Sequence, residues 1–376
     1  EAVAVLGNLR SFRSSRWRAV ARHGERDFRV EGVVETSAGI RSRLEQVVEV
    51  GPPVTRSLMI DGGAATTERY LSALPVVALT AADTDLVSGG PSLRRVLLDR
   101  LSFMLDIATL AEIRTYLRTL RQRNAALSSD ATESEMDAWD ARLAVHAARV
   151  VERRVAAATR LADEFAEIYQ RLRGKSFPDI TLGYRSDSWL NECESTIKLE
   201  ESYRKRYNVT RIRDRHAGHT LEGPHRHDLR LEAGGRPAKE VLSSGQIKVV
   251  AAALRLATVV QVERERGEQL PVIVDDVDAE LDSAVFSQLT RTLASQRQLL
   301  LTSAHGDMVW GSAPAAGGTP LDGGRWGTAP PWGAGREARR HPRTEHQVPH
   351  GPRRGPNTTG YVYRRCGRHF RAPPHG

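Results

Sequence analysis

Residues 271–282 read PVIVDDVDAELD. Three apolar residues, Val272, Ile273 and Val274, run into the adjacent carboxylates Asp275 and Asp276, and Asp282 closes the segment. Two carboxylates side by side at the end of a buried strand repel each other and resist desolvation. A cation between them and a phosphate removes that cost, and Mg²⁺ is commonly held by one or two carboxylates plus phosphate oxygens. The stretch has the form of a Walker B strand: Asp275 would hold Mg²⁺, and Asp276 would orient or deprotonate water. Acids also end strands at the rim of many sheets, so the pair takes its meaning from its surroundings.

A second stretch, LSSGQIKVVAAALRLA, precedes the acids by about thirty residues. Ser243, Ser244, Gly245 and Gln246 open an amphipathic helix that carries Val250, Ala251, Leu254 and Ala257 on one face. A helix start with a hydroxyl and a glycine leaves N–H groups and the positive dipole end available to a phosphate. The same residues also make an ordinary serine N-cap. Their order, SSGQ, then helix, then an acid-ended strand, resembles the signature motif, Walker B and D-loop of an ABC-type ATPase.

The third part of such a site, G-x-x-x-x-G-K-[ST], wraps phosphate with backbone N–H groups and a lysine. The chain's one Gly-Lys-Ser, Gly174-Lys175-Ser176, does not supply it, because Tyr169 stands where the first glycine belongs and a helical pattern precedes it.

These residues need a frame. DFRVEGVVE (27–35), RLEQVVEV and SLMIDGG alternate as half-buried antiparallel strands, and LPVVALT (74–80) is a short buried strand. Residues 92–127 and 134–173 carry helical spacing, without a heptad seam sustained enough for a coiled coil. DITLGY is strand-like and 188–207 helical again. DLRLEAGGRPAKE (228–240) has hairpin alternation with Gly234-Gly235 at its turn. The end of the ordered region, a helix over 245–265, a strand at 271–276, a helix from 281 and the strand QLLLTS (298–303), predicts a parallel α/β unit.

Composition narrows the class. Of 376 residues, 40% are hydrophobic and 27% charged, and no run of 18 apolar residues occurs. Cys193 and Cys366 form neither a disulfide framework nor a metal spacing, so a reduced, cytoplasmic protein is expected. The net charge of +9 invites a nucleic-acid partner. It is carried by residues 311–376, with eleven Arg against three acids, leaving the first 310 residues close to neutral. That Gly/Pro/Arg-rich tail is expected to be disordered, and its abrupt onset fits a change of reading frame. Arg10, Arg13, Arg16 and Arg18 form a separate basic cluster, and Arg94 and Arg95 begin a helix. GPHRHD (223–228) lacks a third ligand for a metal.

VLSSGQIKVVAAALRLA, LPVIVDDVDAELD, TLEGPHRHDLRLEAGGRPA and LRQRNAAL together resemble the RecF family, SMC-like ABC ATPases of bacterial DNA repair. SFRSSRWRAVARHGERDFRVEGVV and LPVVALTAADTDLVSGGPSLRRVLLDRLSF fit it in the same order, over residues 1–305. The resemblance implies an α/β, ABC-ATPase-like head lobe with an antiparallel β part and an inserted helical lobe. Residues 1–90 and 211–310 would build the head, 91–210 the helical lobe and 311–376 the tail.

It further implies ATP and Mg²⁺ sandwiched in a homodimer, with Asp275 on Mg²⁺ and Asp276 at the water. Ser243, Ser244, Gly245 and Gln246 would face the γ-phosphate of the partner's ATP, and Asp282 would be the D-loop acid at the interface. Thr302 and Ser303 fall near the switch position. DNA, single-stranded gaps included, and the proteins RecO and RecR are the implied partners, in recombinase loading and the SOS response. In this family the phosphate loop lies just before a helix leading into SFR, and the chain begins inside that helix. The expectation is an N-terminally truncated sequence that binds nucleotide poorly. The rivals are a catalytically silent DNA-binding module working through its basic segments, and an SMC-like clamp with other partners.

Overall fold

The alternating segments near the start close into an antiparallel meander, β1 (Asp27–Glu35), β2 (Arg41–Glu49), β3 (Thr55–Ile60) and β4 (Gly63–Ala64). The computed structural model describes residues 1–129, 131–192, 195–276, 283–294, 298–303, 318–321 and 359–364. The inner face of β2 presents Leu44, Gln46 and Val48, all fully buried, as its period of two requires. Helix α1 (Ala2–Asn8) precedes the meander. It approaches residues 74–76 so closely that a Cβ on Gly7 would lie 2.5 Å from Val76 Cγ2 and 2.7 Å from the Leu74 carbonyl. Only glycine permits that contact.

After α2 (Thr67–Ala73), β5 (Val77–Leu79) and α3 (Asp85–Ser88), the chain leaves on a helical excursion: α4 (Pro91–Leu105), α5 (Ala108–Leu127) and α6 (Glu133–Leu172). The continuous helix expected over 92–127 is broken. Asp106 turns extended, and its Oδ1 accepts the Ala108 N–H at 3.0 Å, starting a new helix. Helix α6 begins at a reciprocal capping box between Thr132 and Glu135.

The chain continues through β6 (Ile180–Arg185) to α7 (Thr196–Ala217), which ends on a left-handed Gly218. Then come β7 (Asp228–Ala233), β8 (Arg236–Pro237), α8 (Ala238–Val241) and α9 (Ser244–Arg266). Gly234 and Gly235 make the expected tight turn at positive φ, but the long partner of β7 is β6. Last are β9 (Val272–Val274), α10 (Ser283–Ala294), β10 (Gln298–Ser303), β11 (Gly318–Leu321) and β12 (Thr359–Arg364).

The second sheet runs β11-β12-β10-β9-β5, with β9 parallel to both neighbours. Two pieces of the segment expected to lack structure, β11 and β12, thus continue this sheet in antiparallel fashion; the rest of 311–376 lies outside the described residues. So do Cys193 and Cys366.

Three cores result. Val272 and Val274 of β9 join α9, α4 and the distal half of α6, while Ile273 points the other way, to α1 and the meander. The third core lies in the helical lobe, where α5, the proximal half of α6 and α7 enclose Tyr116, Leu143, Ala147, Tyr203 and Tyr207. Helix α6 therefore belongs to two cores at once.

Charge is buried in the helical lobe. Arg123, wholly inaccessible, gives Nε to Asp140 at 2.7 Å and Nη1 to Asp214 at 2.8 Å and Thr220 at 2.7 Å. Its plane lies 4.9 Å from the Tyr207 ring centre. The segment from α7 back to β7, which contains GPHRHD, is gripped from several elements. Arg154 donates to the Pro224 carbonyl at 2.6 Å, and Arg94 forks onto Asp228 at 2.8 and 2.9 Å. Gly223 sits at φ 132°, where a side chain would meet the Tyr207 hydroxyl at 3.0 Å.

Candidate functional site: an acidic strand end and a capped helix start

Strand β9 is buried on both faces, so its side chains gain exposure only where it ends. There Asp275 continues the ladder by donating its N–H to the Leu79 carbonyl at 2.9 Å. Its carboxylate stays largely covered, with the side chain 10% exposed. Such a carboxylate needs donors. Thr302, on neighbouring β10, donates its hydroxyl to Asp275 Oδ1 at 2.7 Å, and Arg13 Nη2 lies 3.1 and 3.3 Å from the two oxygens. The hydrogen bond to Asp275 is also the leading cause that raises the Arg13 proton affinity above its ordinary value.

The next residue, Asp276, turns outward into solvent at φ 52°, a left-handed conformation uncommon for residues other than glycine. Its N–H donates to Thr302 Oγ1 at 3.0 Å, so one hydroxyl fixes both acids.

Oxygen donors of this kind suit Mg²⁺, which keeps several waters and takes few protein ligands. Asp275 is a carboxylate that could hold it once Arg13 moves aside. Among the described residues there is no group of three or more His, Cys, Asp and Glu that could make an all-protein cage, the GPHRHD segment included. Phosphate oxygens and water would have to complete the shell.

The SSGQ segment is a helix start, as expected, with the cap geometry resolved. Ser243 is the N-cap of α9; its hydroxyl accepts the Gln246 N–H at 3.4 Å, and Gln246 Oε1 accepts the Ser243 N–H at 2.9 Å. Each of the two side chains thus accepts the other residue's backbone N–H. Ser244 and Gly245 are exposed, and a Cβ on Gly245 would meet nothing within 4 Å. Among the described residues no hydrogen bond or ion pair joins this segment to Asp275 or Asp276. Helix α9 is long and apolar enough to span a membrane, but 67% of that apolar window is buried in the protein. Asp282 lies outside the described residues, and of Ser303 only the backbone is described.

Sequence reasoning placed Arg13 in a basic cluster and missed its contact with Asp275, which joins residues 262 positions apart. The same cluster borders a cavity of about 470 Å³ that Arg10, Arg13, Arg56, Arg100 and Arg255 line. Arg255 is paired with Asp83, and burial among like charges pushes the Arg100 guanidinium down to about 9.

A mixed sheet with the acid pair at the end of the middle one of its three parallel strands, an antiparallel meander and a helical insertion define an ABC-ATPase-like head. No model of a known protein family matches the chain. Solved structures of the recombination mediator protein RecF share the fold. The RecF-ATP structure has a TM-score of 0.74 at 23% identity over 82% of each chain, and the RecF-ATPrS structure a TM-score of 0.72. Sequence relatives carry the assignment further. The DNA replication and repair protein RecF of Synechococcus sp. (strain JA-2-3B'a(2-13)) is 31% identical over 81% of both chains. That of Anaeromyxobacter dehalogenans (strain 2CP-C) is 32% identical over 84% of both. The chain belongs to the RecF family.

Proposed function

We propose that this chain acts in the cytoplasm as a RecF-type DNA replication and repair protein. It binds DNA at single-stranded gaps and duplex junctions as an ATP-dependent dimer, and assists recombinase loading with RecO and RecR and in the SOS response. The observation that supports this most is the Asp275–Asp276 pair, locked to Thr302 at the end of a buried parallel strand, in a chain with RecF relatives.

In this reading Asp275 is the Mg²⁺ ligand, and the ion neutralises phosphate charge when bound. Asp276, outside the buried sheet, is the group that accepts a proton from water or orients it. Ser244 and Gly245, whose N–H groups open α9, face the γ-phosphate of ATP on a second protomer; among the described residues no hydrogen bond or ion pair joins them to Asp275 or Asp276. Ser243 and Gln246, whose reciprocal cap fixes the helix start, face the same phosphate. Asp282 is the interface acid.

The 376 residues contain no G-x-x-x-x-G-K-[ST]. We expect them alone to bind MgATP weakly, with a Kd above roughly 1 mM. Titration calorimetry checks this, and a micromolar Kd would overturn it.

The arginines of 311–376 favour a second reading, a silent DNA-binding module. Fluorescence anisotropy on gapped and blunt duplexes, with MgATP in excess over its Kd, separates the two. The RecF reading expects gapped duplex to bind several-fold more tightly, with little change when Arg339, Arg340, Arg353 and Arg354 become Gln. The module reading expects no gap preference, and a salt slope reduced by roughly three to four on losing those four charges.

A further inference from the structure

We propose that Arg13 is a displaceable latch on Asp275: its guanidinium closes the carboxylate, and a divalent cation must displace it to bind. The inference rests on Asp275 being the metal ligand and concerns what regulates access to it.

The contact differs in kind from the ion pairs that hold this fold together. Arg94 and Arg154 each give two nitrogens to one carboxylate, Asp228 and Asp99, and add a bond to a backbone carbonyl. Their side chains are 10% and 6% exposed. Such forks are strong and geometrically fixed. Arg13 gives one nitrogen to both oxygens of Asp275 and is 51% exposed. Water can take over that guanidinium at little cost, since half-exposed ion pairs stabilise weakly.

The base of the latch is nevertheless fixed. Arg13 lies outside any helix or strand, but the Ser11 hydroxyl accepts the N–H groups of both Arg13 and Ser14 at 3.0 Å. Release therefore requires only the side chain to turn. Closed, the latch has a definite electrostatic effect. Both oxygens of Asp275 have Arg13 as a donor, and Oδ1 also has Thr302. A dication approaching either oxygen meets a positive charge about 3 Å from that oxygen, at a strand end where screening is reduced. With Arg13 in place Asp275 is compensated without metal, which also answers how this chain tolerates a covered carboxylate beside a second acid.

Mn²⁺ binding to the full chain, read from the EPR signal of the free ion, provides the test without nucleotide or turnover. Arg13→Gln should bind Mn²⁺ roughly tenfold more tightly than the unaltered chain, and Arg13→Lys, which keeps the charge as a looser point contact, should fall between. Asp275→Asn should lose the site. Equal affinity in the unaltered chain and both Arg13 variants, with loss in Asp275→Asn, would overturn the latch and leave Asp275 as a ligand. If Arg13→Gln binds no more Mn²⁺ than Asp275→Asn, the metal reading fails and the latch with it. Arg13→Lys is the check against a folding defect in the glutamine variant.

Discussion

Arg123→Ala should destabilise the protein by about 4 kcal/mol, read as the shift in a urea or thermal melt followed by circular dichroism. The figure follows from what remains after the truncation. Asp140 and Asp214, 2% and 0% exposed, would both be left in a lobe that has lost its central cation. Arg211 still reaches Asp140 at 2.6 Å, but Asp214 would retain only neutral partners such as Thr210 and the Leu221 N–H. Breaking a buried pair from one side costs several kcal/mol, whereas exchanging the whole set for apolar residues can be neutral. The triple replacement Arg123→Met, Asp140→Leu, Asp214→Leu should therefore recover much of the loss. A loss below about 1 kcal/mol in the single variant would show that water reaches the cluster.

A second large effect concerns pH. His225 is buried between two groups that fix its tautomer. Nε2 must donate to the Thr220 carbonyl at 3.0 Å, so Nδ1 accepts from the Tyr116 hydroxyl at 2.7 Å. Burial pushes the imidazole down to about 4. Between about 4 and its ordinary value of 6.5 the unfolded chain holds a proton that the folded chain does not. Stability is therefore fully present above 6.5 and is lost as pH falls toward 4, at about 1.4 kcal/mol per pH unit and about 3 kcal/mol in total.

His227, also lowered by burial, acts in the same direction. Because acids titrate in the same range, the informative quantity is a difference. His225→Gln keeps a donor and an acceptor but not the titration, and should lose less stability than the unaltered chain between pH 7 and 4.5. Parallel curves would show that His225 protonates as easily folded as unfolded.

The signals that were legible in the sequence are local ones. A serine before an apolar helix, three β-branched residues before two acids, and alternation around Gly234-Gly235 each report on neighbours a few residues away. Helix α9, strand β9 and the antiparallel meander lay where that reading put them. What it missed depends on distant partners. The break at Asp106 interrupts an unbroken apolar rhythm because a carboxylate caps Ala108 and meets Arg153 at 3.1 Å.

By spacing alone, GPHRHD offers no third ligand for a metal. Spacing could not show that His225 packs against Tyr116 and His227 against Tyr184. Arg13 stood in a cluster of arginines with nothing local to single it out.

The pairing of β5 with β9 has a kinetic consequence. Val77 aligns with Val272, so nearly two hundred residues separate neighbours in one sheet. Closing so long a loop is slow unless the intervening chain first becomes compact. The intervening chain does so with mostly shorter-range contacts, as α5, α6 and α7 fold back on one another and return β7 to the vicinity of α4. Until then β5 and the meander wait with an unpaired edge, and the sheet that carries Asp275 is completed late. The helical lobe is in this sense a folding template for the head, and damage to its buried charges would delay the assembly of a site to which none of them belongs.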